Sequence, residues 1–113
     1  KLNKAEKIKS LPPYCHHCGG IMKYDTVMFG EPIPRSVLEE CVMQTGKSDC
    51  ILVVGTSATV YPAASFPQEI KNRGGEIIEF NPSDTSLSEI SDIVIRGYTG
   101  TTIPDLTKRL GIH

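Results

Sequence analysis

Cys15 and Cys18 bracket two histidines in the run CHHCGG, and two thiolates at this spacing can supply half of the four ligands that a tetrahedral zinc ion takes. Gly19 and Gly20 behind them can adopt the positive φ that a tight turn around a metal requires. A zinc ribbon commonly places its two cysteine pairs roughly 15–20 residues apart. Residues 1–14 hold no cysteine, so the first pair is expected upstream of Lys1, with Cys15 and Cys18 as the second. Cys41 and Cys50 are rival ligands, but one falls on the apolar face of an expected helix and the other opens an expected buried strand. Both read as small hydrophobes. His16 and His17 read as exposed rather than ligating. A redox Cys-x-x-Cys usually opens a helix after a strand, whereas here Pro12-Pro13 precedes and Gly19-Gly20 follows.

A second group of candidates carries oxygen rather than sulfur. Gly55-Thr56-Ser57, Asn81-Pro82-Ser83 and Gly97-Tyr98-Thr99 each follow a run rich in branched apolar residues. If those runs are parallel strands, the tripeptides lie beyond their carboxyl ends, where ligands collect in such sheets. Glycine lets a ligand approach the backbone, and adjacent hydroxyls bond phosphate or ribose oxygens without adding charge. Asn81 can donate to and accept from a ribose, or close an Asx turn. Tyr98 and Thr99 can press against a base, or form an ordinary loop. The stretch FGEPIP at 29–34 sets an aromatic beside a carboxylate. A short strand TVMFG could pair with an extended peptide while Phe29 lines a pocket for an inserted side chain; the alternative is a core Phe29 with Glu31 as a helix-end charge.

The elements that must position these residues follow from periodicity. Residues 1–10 favour a polar helix that Leu11-Pro12-Pro13 stops. Val37, Leu38, Cys41 and Val42 recur at helical spacing, predicting a helix over 35–45 that ends near Gly46. CILVVG at 50–55 lacks alternation, as expected of a strand covered on both faces. A helix at 65–73 ends at Gly74-Gly75, strands follow at 76–80 and 92–97, and a last helix begins after Thr102 with Pro104 in its first turn. This order predicts an α/β fold: half of a Rossmann-like, doubly wound parallel sheet (25–113), plus part of a small zinc-binding module (1–24). Half a sheet leaves an edge that something else must cover, and the upstream part of the same protein is the expected partner.

The 113 residues suit one domain or part of one. Twelve basic residues against thirteen acidic ones give a formal net charge of −1, so no broad field would draw the chain to nucleic acid or an anionic membrane. Lys1, Lys4, Lys7 and Lys9 read as one solvated helix face. No apolar run approaches the roughly 20 residues of a spanning helix. The cysteine usage fits a reducing compartment, and a cytoplasmic location is expected.

Taken in order, CHHCGG, DTVMFGEPIP, ILVVGTSATVYPA and IIEFN resemble the sirtuins, the NAD-dependent protein deacylases, over about residues 11–105. The resemblance is to the carboxyl-terminal portion of that family. It implies a Rossmann-type domain and a small zinc module, with NAD and an acyl-lysine peptide between them. Cys15 and Cys18 would be one cysteine pair of a structural zinc site. Thr26 to Glu31 would be the substrate strand, with Val27, Phe29, Gly30 and Glu31 meeting the peptide and Phe29 lining the acyl-lysine tunnel. Gly55, Thr56 and Ser57 would contact the phosphates and ribose of NAD. Asn81, Pro82 and Ser83 would meet the adenosine ribose, and Thr99 would lie near adenine.

Two departures are visible: Lys23-Tyr24-Asp25 where many members carry Arg-Pro-Asp, and TSAT where Thr-Ser-Leu is commoner. The family's Gly-Ala-Gly loop, Gln-Asn-x-Asp motif and catalytic His-Gly do not occur in these residues. His16 and His17 sit in the knuckle and His113 at the last position, so no catalytic residue is assigned, and the 113 residues alone are expected to be silent, with weak zinc occupancy. Two rival readings remain: a non-catalytic nucleotide or ADP-ribose-binding module, and a zinc-ribbon interaction domain in which the α/β part is scaffold.

Overall fold

The structure, a computed structural model, describes residues 11–112. The helix expected over 1–10 with its lysines, and His113, lie outside the described residues. The chain divides into two compact units, Lys1–Pro34 and Arg35–His113. Among the described residues no helix is long and apolar enough to cross a membrane.

The second unit is α/β. Its helix α1 (Arg35–Lys47) leads into strand β1 (Cys50–Val54), a 3-10 turn at Ala63–Ser65 runs into α2 (Phe66–Asn72), and β2 (Glu76–Phe80), β3 (Ile93–Ile95) and α3 (Thr99–Arg109) follow. The three strands are parallel in the order β1-β2-β3. Ile51 pairs with Ile77 and Val54 with Phe80, while Ile78 pairs with Ile93 and Phe80 with Ile95. Helix α2 packs on β1 and β2 and against α1, and α3 packs on β2. One face of the sheet buries Val53 and Ile77 against Leu87, with Ile51, Ala58 and Ile90 around them; the most deeply buried apolar residues elsewhere are Ile70 and Phe80.

Helix α1 runs past its expected end, through Gly46 to Lys47. Arg73, just beyond α2, caps this end: its guanidinium donates to the carbonyls of Thr45 and Gly46, and to that of Ser48 at 3.0 Å. Thr45 and Gly46 lie in the last turn, whose carbonyls lack the usual intrahelical donors, and Ser48 lies just beyond it. The turn from α2 to β2 needs two glycines for different reasons. Gly74 has φ +85°, and at Gly75 a Cβ would lie 2.6 Å from Ile70 Cγ2 and 2.7 Å from the Asp49 carbonyl.

Several expectations are corrected. β1 is not covered on both faces: Cys50 is exposed, as are Leu52 at 50% and Val54 at 42%. Their side of this edge strand meets no complete layer among the described residues. Cys50 is therefore not a buried hydrophobe, whereas Cys41 is half-buried on α1. Helix α3 starts at Thr99, not after Thr102, because the Tyr98 carbonyl already accepts the N–H groups of Thr101 (2.9 Å) and Thr102 (3.0 Å). Pro104 thus sits inside the helix, where it forfeits one backbone bond. The expected strand TVMFG is absent, for a reason given below.

Candidate functional site

In the first unit the knuckle is a small hairpin. Tyr14 and Ile21 bridge antiparallel, Met22 N–H donates to the Pro13 carbonyl at 2.8 Å, and Cys15 N–H to that of Gly20 at 2.8 Å. Gly19, at φ +69°, closes back on the Cys15 carbonyl. The backbone N–H of Cys18, then that of His17, then the Cys18 thiol hold the Cys15 thiol below its ordinary value of 9.0. Amides aimed at a sulfur favour the thiolate, the form that binds a metal. The pair therefore fits two ligands of a zinc site, and His16 and His17 are exposed beside it. Among the described residues no group of three or more candidate ligands converges.

Residues 23–31 form a clasped turn instead of a strand. Glu31 N–H donates to the Met28 carbonyl at 3.0 Å, with Phe29 and Gly30 at the corner and Gly30 at φ +80°; positive φ at this third position is the geometry of a type II turn. The Glu31 carboxylate accepts the Met28 N–H at 2.9 Å and the Lys23 ammonium at 3.0 Å. Lys23 also donates to the Thr26 carbonyl at 2.9 Å. Groups that a strand would offer to a neighbour are thus partly consumed within the segment. The Met28 amide first, then the Lys23 hydrogen bond, holds the Glu31 carboxyl below its ordinary 4.5. Phe29, at the corner, is 92% exposed, so it is not a core residue. Val27 is exposed as well.

In the second unit the loops after all three strands meet. Gly55, at φ +62°, continues the ladder by donating to the Phe80 carbonyl at 2.9 Å. A Cβ on it would lie 3.4 Å from Thr99 Cγ2, so Thr99 at the start of α3 packs directly on the first strand end. Asn81 donates through Nδ2 to the Thr56 carbonyl at 2.9 Å and accepts the Ser83 N–H on Oδ1 at 3.1 Å. This is an Asx turn that also ties the second strand end to the first. The amide keeps a second N–H and a further lone pair, although Asn81 is only 8% exposed. Ser57 Oγ lies 2.9 Å from Thr59 Oγ1, and Thr56 Oγ1 accepts the Ala58 N–H at 3.1 Å. Ala58 has φ +54°, a left-handed conformation uncommon outside glycine. Thr56, Ser57, Pro82 and Ser83 are exposed.

Gly55, Thr56, Asn81, Ser83 and Thr99, singled out on separate stretches of sequence, are thus brought to one end of one sheet. They offer hydroxyls, an amide and backbone groups: the chemistry of holding a polar ligand, not of moving protons. Two residues beneath them escaped the sequence reading. Glu79 on β2 is fully buried, and its carboxylate accepts Thr85 Oγ1 and Ser88 Oγ, each at 2.7 Å. Arg96, after β3, lies 4.0 Å from that carboxylate and donates to the carbonyls of Asn81 (3.3 Å) and Ser83 (2.9 Å). The available signal was Glu79, the second glutamate of EIIEF, set between apolar residues and followed by the hydroxyl-rich SDTSLS.

Residues 1–62 match the model of the Sir2 family. An NAD-dependent protein deacylase of Thermococcus kodakarensis is 45% identical over 98 residues, covering 87% of this chain and 38% of that protein. The crystal structure of a Sir2 homologue–NAD complex superposes with TM-score 0.80 at 40% identity, covering 96% of this chain and 43% of that one. A Sir2 structure with a p53 peptide and NAD+ gives TM-score 0.77 at 26% identity, covering 93% and 44%. The chain thus spans about two fifths of the length of the proteins it matches.

Proposed function

The chain belongs to the Sir2 family, and from that premise we propose that it works within an NAD-dependent protein deacylase, supplying the adenosine side of the dinucleotide site and a peptide-facing turn. The observation that carries this reading is the cross-linking of the strand-end loops: Asn81 to Thr56 by a hydrogen bond, and Thr99 to Gly55 by packing. Gly55, Thr56 and Ser57 would take the phosphates and the adjoining ribose. Asn81, Pro82 and Ser83 would take the adenosine ribose, with Thr99 beside adenine. When bound, NAD would supply the ribose that takes the acyl group, and with one water consumed the products would be nicotinamide, free lysine and O-acyl-ADP-ribose. This chain's own residues bind and orient; the general base is assigned to none of them.

The acyl-lysine peptide would meet the turn at Val27, Phe29, Gly30 and Glu31. An exposed aromatic at the corner of a clasped turn supports that assignment, because its ring is presented to solvent. Cys15 and Cys18 would supply two ligands of a structural zinc ion, which fixes a knuckle by replacing several weak bonds with two metal–sulfur bonds. A reducing, cytoplasmic setting would keep Cys15 and Cys18 available to such an ion.

The test is calorimetric titration of the full-length protein with ADP-ribose. Asn81→Ala is expected to weaken binding about tenfold, the scale of one to two lost hydrogen bonds. An unchanged affinity for Asn81→Ala and Ser57→Ala together would remove the dinucleotide assignment. Affinity that falls in a protein unable to deacylate an acetyl-lysine peptide would favour the non-catalytic nucleotide-binding module.

A further inference from the structure

The strongest unexplained feature of the second unit is a carboxylate where the fold needs none. Position 79 lies at the middle of the sheet, paired with Val53 on one side and Val94 on the other. An apolar residue there would pack against the same neighbours without the cost of burying a charge. Glu79 is instead fully buried, and both of its hydroxyl partners, Thr85 and Ser88, come from the irregular stretch between β2 and β3. Thr85 extends the arrangement by accepting the Leu87 N–H at 3.1 Å and donating its own N–H to Ser88 Oγ at 2.9 Å.

Arg96 grips the same stretch from the other side. Besides the carbonyls of Asn81 and Ser83, its guanidinium donates to Ser88 Oγ at 3.1 Å and to the Asp84 carboxylate. A planar fork with five N–H donors can serve several acceptors at once in fixed directions, which an ammonium cannot do. The bonds form a chain. Arg96 holds the Ser83 carbonyl, Ser83 N–H fixes Asn81 Oδ1, and Asn81 Nδ2 holds the Thr56 carbonyl. The orientation of the Asn81 amide therefore depends on a guanidinium that is not itself among the ligand-facing groups.

We propose that Glu79 and Arg96 are positioning residues of the dinucleotide site, folding residues 81–88 so that Asn81 and Ser83 are set for the adenosine ribose before the ligand arrives. This rests on the dinucleotide reading given above. A site organised in advance does not spend binding energy on ordering a loop. Loss of either residue is therefore read in dinucleotide affinity, and not in the chemistry or in the peptide.

The experiment compares four variants of the full-length protein by ADP-ribose titration, thermal melting and steady-state kinetics with an acetyl-lysine peptide. Arg96→Met is expected to weaken ADP-ribose binding and raise the KM for NAD by about tenfold, with kcat and the peptide KM within about twofold. Glu79→Gln, which keeps the volume but presents an amide to two hydroxyls, is expected to shift the same two quantities by about threefold to tenfold. Arg73→Met removes an equally well-bonded guanidinium that caps α1. It is expected to lower the melting temperature with ADP-ribose affinity unchanged, separating positioning from general stability. Should Arg96→Met not fold, Arg96→Lys replaces it and is expected to show the same split at smaller size. Asn81→Ala is the reference. If it weakens ADP-ribose binding while the Arg96 and Glu79 variants do not, the positioning role is overturned and the dinucleotide reading stands. If it leaves binding unchanged, that reading itself fails and the positioning role fails with it.

Discussion

Residues 11–34 and residues 35–112 solve the same problem in opposite ways. In the first stretch, the side chains with chemical potential are held by turns and by one exposed clasp, Lys23 with Glu31. In the second, they sit on loops whose backbone is anchored to a parallel sheet and to a buried carboxylate. The Phe29 ring is presented by a corner, so its placement depends on few bonds and on the ionisation of one carboxyl. Asn81 is presented by a network, so its placement depends on residues far away in sequence. A local device can be altered with effects confined to its own turn, while altering a distributed one is felt at groups far away in sequence.

The widest separation of the two regions should come from their phenylalanines. Phe80, 1% exposed on β2, is expected to lose about 3–5 kcal/mol of stability on substitution by alanine, as buried aromatics do, measured by denaturant unfolding. Next is Gly75→Ala. Its Cβ would meet backbone at Asp49 as well as the Ile70 side chain, so a loss of about 1–3 kcal/mol is expected from overpacking, and a neutral result would show that the α2–β2 turn yields more than its geometry suggests.

The clasp responds to pH. The Glu31 carboxyl lies below its ordinary 4.5, chiefly because of the Met28 amide and then Lys23. Its contribution is thus fully present above the ordinary carboxylate range and is lost as pH falls through the lowered value. Hydrogen exchange at the Met28 amide, corrected for intrinsic rate, should lose protection over that acidic window in the native protein. In Glu31→Gln it should be insensitive to pH there. The Phe80 amide, in the sheet, should keep its protection through the same window; if both amides open together, the clasp is not a local device.

The smallest expected effect on stability is that of Phe29→Ala. At 92% exposure it should change unfolding free energy by no more than about 0.5 kcal/mol, while the peptide KM rises in the deacylation assay. A large loss of stability would mean that the ring is packed in the native protein and that the comparison of the two aromatics is wrong.

Much of the second unit was legible because its signals are local. The unbroken run ILVV, the paired glycines after the second helix and the helical spacing of Leu38 and Cys41 each fall within one element, and the order of strands and helices follows from them. Boundaries were less legible. The end of α1 is capped by Arg73, which lies 27 residues beyond Gly46 in sequence, and no periodicity within α1 reports that contact. The segment TVMFG has the composition of a strand, but the pairing of its backbone is settled by Glu31 and Lys23, whose side chains compete for the same groups.

Residue types at the candidate site were visible before any fold was known, since Gly55-Thr56-Ser57, Asn81 and Thr99 follow apolar runs and Cys15 and Cys18 have ligand spacing. Their assembly was not. Only the parallel register of three strands sets Thr56, Asn81 and Arg96 side by side, and only burial reveals that Glu79 is an anchor and not a surface charge. Propensity and patterning act over a few residues along the chain, and so a linear reading recovers them. Hydrogen bonds across strands and loops form where the folded backbone happens to bring groups together, and that is a property of three dimensions.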